Sequence, residues 1–185
     1  MKAYIGLGSN LGDRAGNLLL AVRGLMEAGL HVSRLSAIYE TSPVGVSDQS
    51  PYLNMVAEIE ISTITPSQIL ARMVRIEYLL GRRHKFLGTP RTADLDLLFY
   101  GDTKIDTEFL QVPHRNLHNR RFVLVPLCEL SPHFIHPVEK KTVRDMLEQL
   151  DDNSMVERWD PNTNVDIDGT SDAPSPQSFS KSSNN

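Results

Sequence analysis

The order in which strand-like and helix-like spacings of apolar residues follow each other restricts the fold more than any other feature of the chain. Stretches in which apolar and polar residues alternate predict strands, and stretches with apolar residues three or four positions apart predict helices. The predicted elements are a strand at 2–9, a helix at 13–29, strands at 31–39 and 52–62, a helix at 65–81 and a strand at 91–100. This is the element order of a ferredoxin-like α+β fold. We therefore predict a βαββαβ antiparallel sheet with its helices on one face.

The second predicted helix has the clearest end signals. Thr65 precedes it as an N-cap, and Pro66 suits its first turn. Gln68 completes a capping box with Thr65, and Gly81 follows as a stop signal. These residues fix both ends of the helix and the start of the loop that leads to the last predicted strand.

Beyond residue 100 the sequence predicts less regular structure. Residues 100–105 indicate a turn into a short partner strand, and residues 142–150 indicate a short helix, with irregular chain between them. From Pro161 onward the chain is nearly all Ser, Asn, Asp, Pro and Thr, a composition that buries too little apolar surface to fold. We predict one folded domain with a C-terminal extension, residues 1–160, and a disordered tail, residues 161–185.

The composition excludes several classes of protein. The net charge of −4 gives no basis for nucleic-acid binding, which favours a basic chain. No apolar run approaches the ~18 residues of a membrane span, and the first residues lack the pattern of a signal peptide. Cys128 is the only cysteine, so an internal disulfide is excluded and a reducing compartment is expected. We expect a soluble, cytoplasmic monomer that binds neither nucleic acid nor membrane.

The strand at 52–62 alternates most regularly. Met55 and Ala57 belong to its apolar face, and Asn54 and Glu58 belong to the other. Antiparallel sheets commonly have one solvated face. The alternation therefore predicts that the glutamate-bearing face is exposed to solvent, and an open face of this kind can carry a site.

The glycines of GLGSNLG, residues 6–12, resemble a nucleotide-binding loop only in part. Their spacing is G-x-G-x-x-x-G, which differs from the dinucleotide fingerprint, and no Gly-Lys-Ser/Thr follows as in a P-loop. We interpret them as the end of a strand before a helix. A mobile loop near a ligand is the alternative.

The last predicted strand, RTADLDLLFY, carries the main chemical signal. Asp94 and Asp96 lie on one face, and Leu95, Leu97 and Phe99 lie on the other. Two neighbouring carboxylates repel each other, so the pair adds nothing to the stability of a strand. The pair is either solvated surface or a functional site.

Cationic residues on both sides of this strand favour a functional site. Arg82 and Arg91 precede the acid pair, and His114 and Arg120 follow it, among further basic residues. Two carboxylates suit Mg²⁺, which completes its coordination with water and substrate phosphates. Arginines suit the phosphate oxygens themselves. The combination predicts a magnesium-dependent phosphoryl-transfer site.

Two other classes of function stay open at this point. A ferredoxin-like module that binds RNA would show an aromatic K/R-G-F/Y signature on a central strand, and the chain lacks one. A metal-dependent nuclease would use the same acid pair, but the acidic balance of the chain disfavours a nucleic-acid substrate.

Six motifs resemble those of one known family and occur in its order. They are YIGLGSNLGDR (4–14), YETSPVG (39–45), DQSPYLN (48–54), IEYLLGRR (76–83), PRTADLDLLFYG (90–101) and VPHRNLHNRRFVLVPL (112–127). Over about residues 3–132 the chain is similar to the 6-hydroxymethyl-7,8-dihydropterin pyrophosphokinases of folate biosynthesis. The resemblance implies the ferredoxin-like fold, and transfer of diphosphate from MgATP to the pterin hydroxymethyl group with release of AMP.

The resemblance also implies a role for each matching residue. Asp94 and Asp96 match the ligands of two magnesium ions. The implied catalytic residues are Arg82, Arg91, Asp94 and Asp96, and the implied ATP contacts are Glu77, Arg82, Arg91, His114 and Arg120. The implied pterin contacts are Thr41, Ser42, Val44, Tyr52, Asn54 and Phe122. His84 is one departure from the family pattern, because it stands where a second arginine is usual.

Overall fold

A computed structural model describes residues 1–42, 50–81 and 92–162. In these ranges the strands are β1 (Lys2–Ser9), β2 (His31–Leu35), β3 (Tyr39–Thr41), β4 (Tyr52–Glu60), β5 (Asp94–Tyr100), β6 (Ile105–Asp106), β7 (Gln111–Val112) and β8 (Val156–Arg158). The helices are α1 (Arg14–Glu27), α2 (Pro66–Leu79), α3 (Arg121–Leu130) and α4 (Val143–Glu148), with a 3₁₀ turn at Leu117–Asn119. None of these helices combines the length and apolar character that crossing a bilayer requires.

The main sheet is antiparallel and has β1 near its centre. The strand order is β5–β1–β4–β3–β8, and β2 also pairs with β4. The predicted strand at 31–39 is therefore divided into β2 and β3, which follow each other along one edge of β4. The interruption lies at Ser36, whose hydroxyl accepts the N–H of Val56 at 2.9 Å in place of a regular ladder bond.

One face of the sheet is covered by α1 and α2, which enclose the larger core. Asp13 caps α1, because its carboxylate accepts the N–H of Gly16 at 2.9 Å. The predicted capping box of α2 is present: Thr65 Oγ1 accepts the N–H of Gln68 at 3.3 Å, and Gln68 Oε1 accepts the N–H of Thr65 at 2.9 Å. The helices that the sequence predicts most clearly thus form the first layer as expected.

The prediction that the helices lie on one face only is wrong. A second core lies on the opposite face and involves α3 and α4. Its buried residues are Tyr4, Val56, Leu98, Phe99, Leu117, Val123, Leu124, Leu127, Leu130, Val143 and Met146. The chain is thus a mixed α/β protein with helices on both faces of an antiparallel sheet.

The helix α3 lies in a stretch that the sequence indicates to be irregular. Pro126 lies inside it, where a missing N–H and a bulky ring normally disfavour helix. Arg120 at its N-cap makes no side-chain capping bond. The run FVLVPL is apolar throughout, so it lacks the one-sided stripe that marks a surface helix. Packing on the sheet supplies the stabilisation that local signals do not.

The C-terminal extension is part of the sheet. β8 pairs antiparallel with β3. Trp159 packs against the larger core, and its backbone N–H donates to the carbonyl of Ile38 at 2.9 Å. The partner strand predicted after residue 100 is β6, which pairs with β7 in a small second sheet. Of the predicted tail, residues 163–185 lie outside the described ranges.

Phe99 lies on the face opposite to the predicted one. In the pairing of β1 with β5, Tyr4 lies opposite Phe99 but Ile5 lies opposite Leu97. Leu98 is therefore an extra residue in a β-bulge, and a bulge interrupts the alternation of side chains. The ring of Phe99 packs edge-on against Tyr4, 6.3 Å between centroids, in the second core. The acid pair precedes the bulge and keeps its predicted alternation.

The predicted solvent exposure of β4 is wrong for Asn54 and Glu58, which are both buried. The carboxylate of Glu58 accepts from Arg34 Nε at 3.1 Å and lies 3.0 Å from Lys2 Nζ. Burial alone would raise the pKa of Glu58, but hydrogen bonds from Arg34, Lys2 and Ser33 outweigh it and hold that pKa at about 2. The buried charge is tolerated because it is fully partnered.

The hydrogen bonds to Glu58 predict that the stability of the fold decreases as the pH falls into the acid range. The pKa of Glu58 falls from 4.5 to about 2 on folding. As the pH falls, Glu58 is therefore protonated in the unfolded chain before it is protonated in the folded chain. Its contribution to the free energy of unfolding is complete above about pH 4.5 and is lost as the pH falls toward 2. In urea titrations we expect Glu58→Gln to lower the unfolding free energy by about 1–3 kcal/mol at pH 7, with a smaller difference at acid pH.

The matched control is Glu60→Gln, on the same strand. The Glu60 side chain is 56% exposed and its partner is His31, so the change should alter stability by less than about 1 kcal/mol. Equal effects of the two substitutions, or a Glu58→Gln effect that does not change with pH, would contradict the prediction.

Candidate active site

A cavity of about 360 Å³ opens on the second face of the sheet, beside the start of α3. Eight of the predicted site residues line it: Thr41, Ser42, Tyr52, Asn54, Asp94, Asp96, Arg120 and Phe122. They come from β3, β4, β5 and the first turn of α3. The cavity therefore brings together the predicted metal ligands and most of the predicted pterin contacts.

The floor of the cavity includes two glycines of β1. Gly6 and Gly8 are two residues apart on β1, so both face the cavity. Gly8 lies opposite Asn54 on β4 and opposite Asp94 on β5. A Cβ atom on Gly8 would lie only 3.0 Å from Asn54 Oδ1. A flat ligand can therefore lie directly on the backbone of β1.

Sequence reasoning missed these two glycines as site residues. The sequence placed them correctly in the predicted strand at 2–9, but gave them no place in the site. The signal that identifies them is their period of two, because alternate glycines leave one face of a strand bare.

The acid pair occupies one end of the cavity. Asp94 and Asp96 open β5, and both are partly exposed. Arg120 Nη1 lies 3.7 Å and His114 Nε2 lies 3.8 Å from Asp96 Oδ2. Both distances exceed that of a hydrogen bond. The two side chains thus lie beside Asp96 without a hydrogen bond to it, an arrangement that leaves them able to bind an anion.

His114 reaches the acid pair because its backbone is held by β5. Its N–H donates to the carbonyl of Leu98 at 3.0 Å. Its Nδ1 accepts from the N–H of Asn116 at 3.4 Å, which leaves the hydrogen on Nε2, the atom nearest Asp96. Burial lowers the pKa of His114, although the carboxylate of Asp96 pulls it upward. The imidazole is therefore a neutral N–H donor at neutral pH.

Glu77 lies behind the acid pair rather than in the cavity. It is buried on the face of α2 that packs on the sheet, together with Met73 and Ile76. Its Oε1 accepts the N–H of Leu95 at 2.9 Å. Leu95 separates the two acids on β5, which is the edge strand of the described sheet. Glu77 thus holds the backbone between the two carboxylates, and its predicted contact with ATP stays a prediction.

The lining of the cavity also includes aromatic side chains and an amide whose orientation is fixed by a hydrogen bond. Asn54 Nδ2 donates to Thr41 Oγ1 at 2.7 Å, which fixes the plane of the amide. Tyr52 and Phe122 also line the cavity, and the guanidinium of Arg120 lies 5.7 Å from the centre of the Phe122 ring. Aromatic walls with a fixed amide suit a flat heterocycle that has hydrogen-bonding edges.

Three predicted site residues lie outside the described ranges. They are Val44, Arg82 and Arg91. His84, the departure from the family pattern, lies there too. Their assigned roles stay predictions from the motifs.

A comparison with known families identifies the chain. The model of the 7,8-dihydro-6-hydroxymethylpterin-pyrophosphokinase family matches residues 4–132. The chain belongs to this family. The predicted resemblance is confirmed, and all predicted site residues lie inside the matched range.

Bacterial members of the pyrophosphokinase family are similar along most of their length. The chain is 47% identical over 129 residues to a 2-amino-4-hydroxy-6-hydroxymethyldihydropteridine pyrophosphokinase of Bacillus subtilis, covering 69% of this chain and 77% of that protein. It is 37% identical over 142 residues to the protein of that name from Aquifex aeolicus, covering 77% and 88%. A mitochondrial folate synthesis bifunctional protein of Pisum sativum is 40% identical over 129 residues, but only 25% of its length is matched.

Solved structures support the fold. The HPPK-DHPS of Plasmodium falciparum has a TM-score of 0.63 at 17% sequence identity, covering 80% of this chain. The chain spans 45% of the length of that protein. At this level of identity the likeness shows a shared fold and no more.

Proposed function

We propose that this chain transfers a diphosphate group from ATP to the hydroxyl of 6-hydroxymethyl-7,8-dihydropterin in folate biosynthesis and releases AMP. The observation that carries the proposal is the cavity itself. It is lined by the acid pair and the cationic side chain of Arg120, by the amide of Asn54 with the aromatic residues Tyr52 and Phe122, and by the glycines of β1. The names of the bacterial relatives, which are pyrophosphokinases, support the same reaction.

The acid pair fits Mg²⁺ as its protein ligands. Within the described ranges no group of three or more His, Cys, Asp or Glu side chains could hold a metal. Those ranges therefore offer no closed, all-protein metal site. Mg²⁺ needs only one or two carboxylates, because it keeps water and substrate phosphates as further ligands. We infer that Asp94 and Asp96 would hold two magnesium ions, which would supply positive charge to neutralise the phosphates of ATP.

The phosphate end of the cavity orients ATP. Arg120 and the Nε2–H of His114 bind phosphate oxygens beside the acid pair, and Arg82 and Arg91 add further positive charge. Phosphoryl transfer depends mainly on positioning and charge neutralisation. These side chains therefore suffice without a dedicated strong base.

The pterin end of the cavity orients the acceptor. Asn54 and Thr41 meet the amide-like edge of the pterin, with Ser42 and Val44 beside them. Tyr52 and Phe122 contact its faces. The hydroxymethyl arm extends across β1 toward the acid pair on β5, which brings the alcohol in line with the β-phosphorus of ATP.

Three sequence-based expectations belong to this proposal. We infer that the sheet is ferredoxin-like, since β5, β1, β4 and the β2–β3 edge follow the order of a split βαβ unit. We expect a monomer, which size-exclusion chromatography with light scattering tests. We expect a cytoplasmic location, in keeping with a single cysteine.

The decisive experiment separates nucleotides after incubation with MgATP and the pterin. We expect AMP and pterin diphosphate in equal amounts and no ADP. A nuclease or a non-catalytic binding module would give no pterin-dependent AMP. Formation of ADP, or of AMP at the same rate without pterin, would overturn the proposal.

We further propose that the tail from Pro161 onward is dispensable. Its polar composition cannot form a core, and the last described packing residue is Trp159. Truncation after Asp160 should leave both the melting temperature and the turnover unchanged. A marked loss of either would show that the tail binds to the domain.

A further inference from the structure

The C-terminal segment, defined here as residues 152–158, reaches the cavity although it lies beyond the family match. That match ends at residue 132, yet Asp152 lines the cavity. The segment ends in β8, where Val156 lies opposite Thr41. The N–H of Ser42 donates to the carbonyl of Met155 at 3.4 Å. The C-terminal segment therefore supports the wall of the cavity that contains Thr41 and Ser42.

Asp152 also contacts the opposite wall. Its Oδ2 accepts the N–H of Arg121 at 3.3 Å, and its Oδ1 accepts the N–H of Ser154 at 2.8 Å. The N–H of Ser154 lowers the pKa of Asp152, so its carboxylate is charged at neutral pH. A charged acceptor is favourable where it meets an unpaired N–H at the start of a helix.

This contact fixes the first turn of α3 from outside the helix. Arg120 is the N-cap residue and makes no side-chain capping bond. The N–H of Arg121 is one of those that a helix leaves without an internal partner. Phe122 follows directly and lines the cavity. Arg120 itself is held separately, because its N–H donates to the carbonyl of Leu117 at 3.2 Å.

We propose that Asp152 is a positioning residue for the acceptor end of the reaction. Its carboxylate joins the first turn of α3 to the C-terminal segment, and so sets the separation between Phe122 and the Thr41–Ser42 wall. The inference rests on the proposed function, because it assumes that a pterin lies between these walls. The phosphate end has its own support and does not depend on Asp152.

The first test compares Asp152→Ala, Asp152→Asn and the exposed neighbour Asp151→Ala. Loss of a hydrogen bond to a charged group should raise the KM for the pterin roughly tenfold in Asp152→Ala. The KM for MgATP should stay close to wild type, and the melting temperature should fall by only a few degrees. Asp152→Asn leaves one acceptor oxygen for two backbone N–H donors, so it should recover only part of the loss. The inference fails if Asp152→Ala matches Asp151→Ala, or if both substrates lose affinity equally.

A second test removes the donor instead of the acceptor. Arg121→Pro deletes the N–H, and proline suits the first position of a helix. Arg120 is already extended, with φ −123° and ψ 101°, as a residue before proline should be. The reference variant for Arg121→Pro is Arg121→Ala, which loses the same side chain but keeps the backbone N–H. We expect the pterin KM of Arg121→Pro to exceed that of Arg121→Ala roughly tenfold.

The double variant Asp152→Ala/Arg121→Pro completes the cycle. It should have nearly the same pterin KM as Arg121→Pro alone, since that change has already removed the bond between Asp152 and Arg121, to which the inference assigns the effect. Additive losses would overturn the inference. The wild-type assay separates this outcome from failure of the proposed function. A wild-type protein that forms no AMP refutes the reaction, whereas an active wild type with unaffected Asp152 variants refutes only the role of Asp152.

Discussion

Asp96→Asn is expected to reduce turnover on the order of 10³-fold while the protein stays folded. The amide keeps the size of the carboxylate but loses the charge that a magnesium ligand needs. Asp94→Asn should have an effect of the same order, because both acids lie on the same face of β5 and both line the cavity. Both side chains are partly exposed, so neither change disturbs a core.

Turnover at saturating magnesium is the measurement that checks this expectation. Asp102→Asn is the matched control, since Asp102 is an exposed acid in the turn that follows the same strand. It should leave turnover within about twofold of wild type, as surface changes usually do. Near wild-type turnover in either cavity variant would exclude that acid as a metal ligand.

Glu77→Ala is expected to lower turnover roughly 10- to 100-fold through the backbone of β5. It leaves the N–H of Leu95 without its acceptor in a buried setting, which costs about 1–3 kcal/mol. The strand can then shift at the residue that separates the two acids. Hydrogen exchange should show a faster amide at Leu95, and the magnesium concentration needed for half-maximal activity should rise.

Glu77→Gln is the control that separates two roles for this residue. The amide oxygen still accepts the N–H of Leu95, so support of the strand predicts that Glu77→Gln retains most of its activity. A contact that needs the negative charge, such as one close to ATP and its metal, predicts equal losses in the two variants. Equal losses with unchanged exchange at Leu95 would contradict the backbone role.

The sequence predicts those elements that carry their own signals. The helix α2 begins at Pro66 after the capping box of Thr65 and Gln68, as expected. The helix α3 has no such signals, and it is stabilised by sheet residues that are distant in the sequence, such as Tyr4 and Leu98. The second helical layer and the bulge on β5 arise from tertiary contacts. Local periodicity carries no information about them.

The sequence predicts which residues line the cavity better than it predicts which polar residues are buried and what they contact. The motifs gave Asn54, Asp94 and Phe122, and the structure places all three around one cavity. Periodicity could not show that Glu58 is buried, because its partner Arg34 lies on another strand. It could not show the role of Glu77 either, since the N–H that it accepts belongs to a residue 18 positions away.

The backbone of β1 sets a fixed distance across the cavity. Asn54 and Asp94 flank Gly8 on either side, so two strand spacings, roughly 10 Å, separate the Cα atoms of these two residues. This length is set by hydrogen-bonded ladders and not by rotamers, so repacking of either core leaves it unchanged. In the proposed binding mode, an acceptor with a longer or shorter arm would not reach the phosphorus. We therefore expect selection of the acceptor partly by the length of its arm, because no side-chain substitution at Asn54 or Asp94 changes this backbone distance.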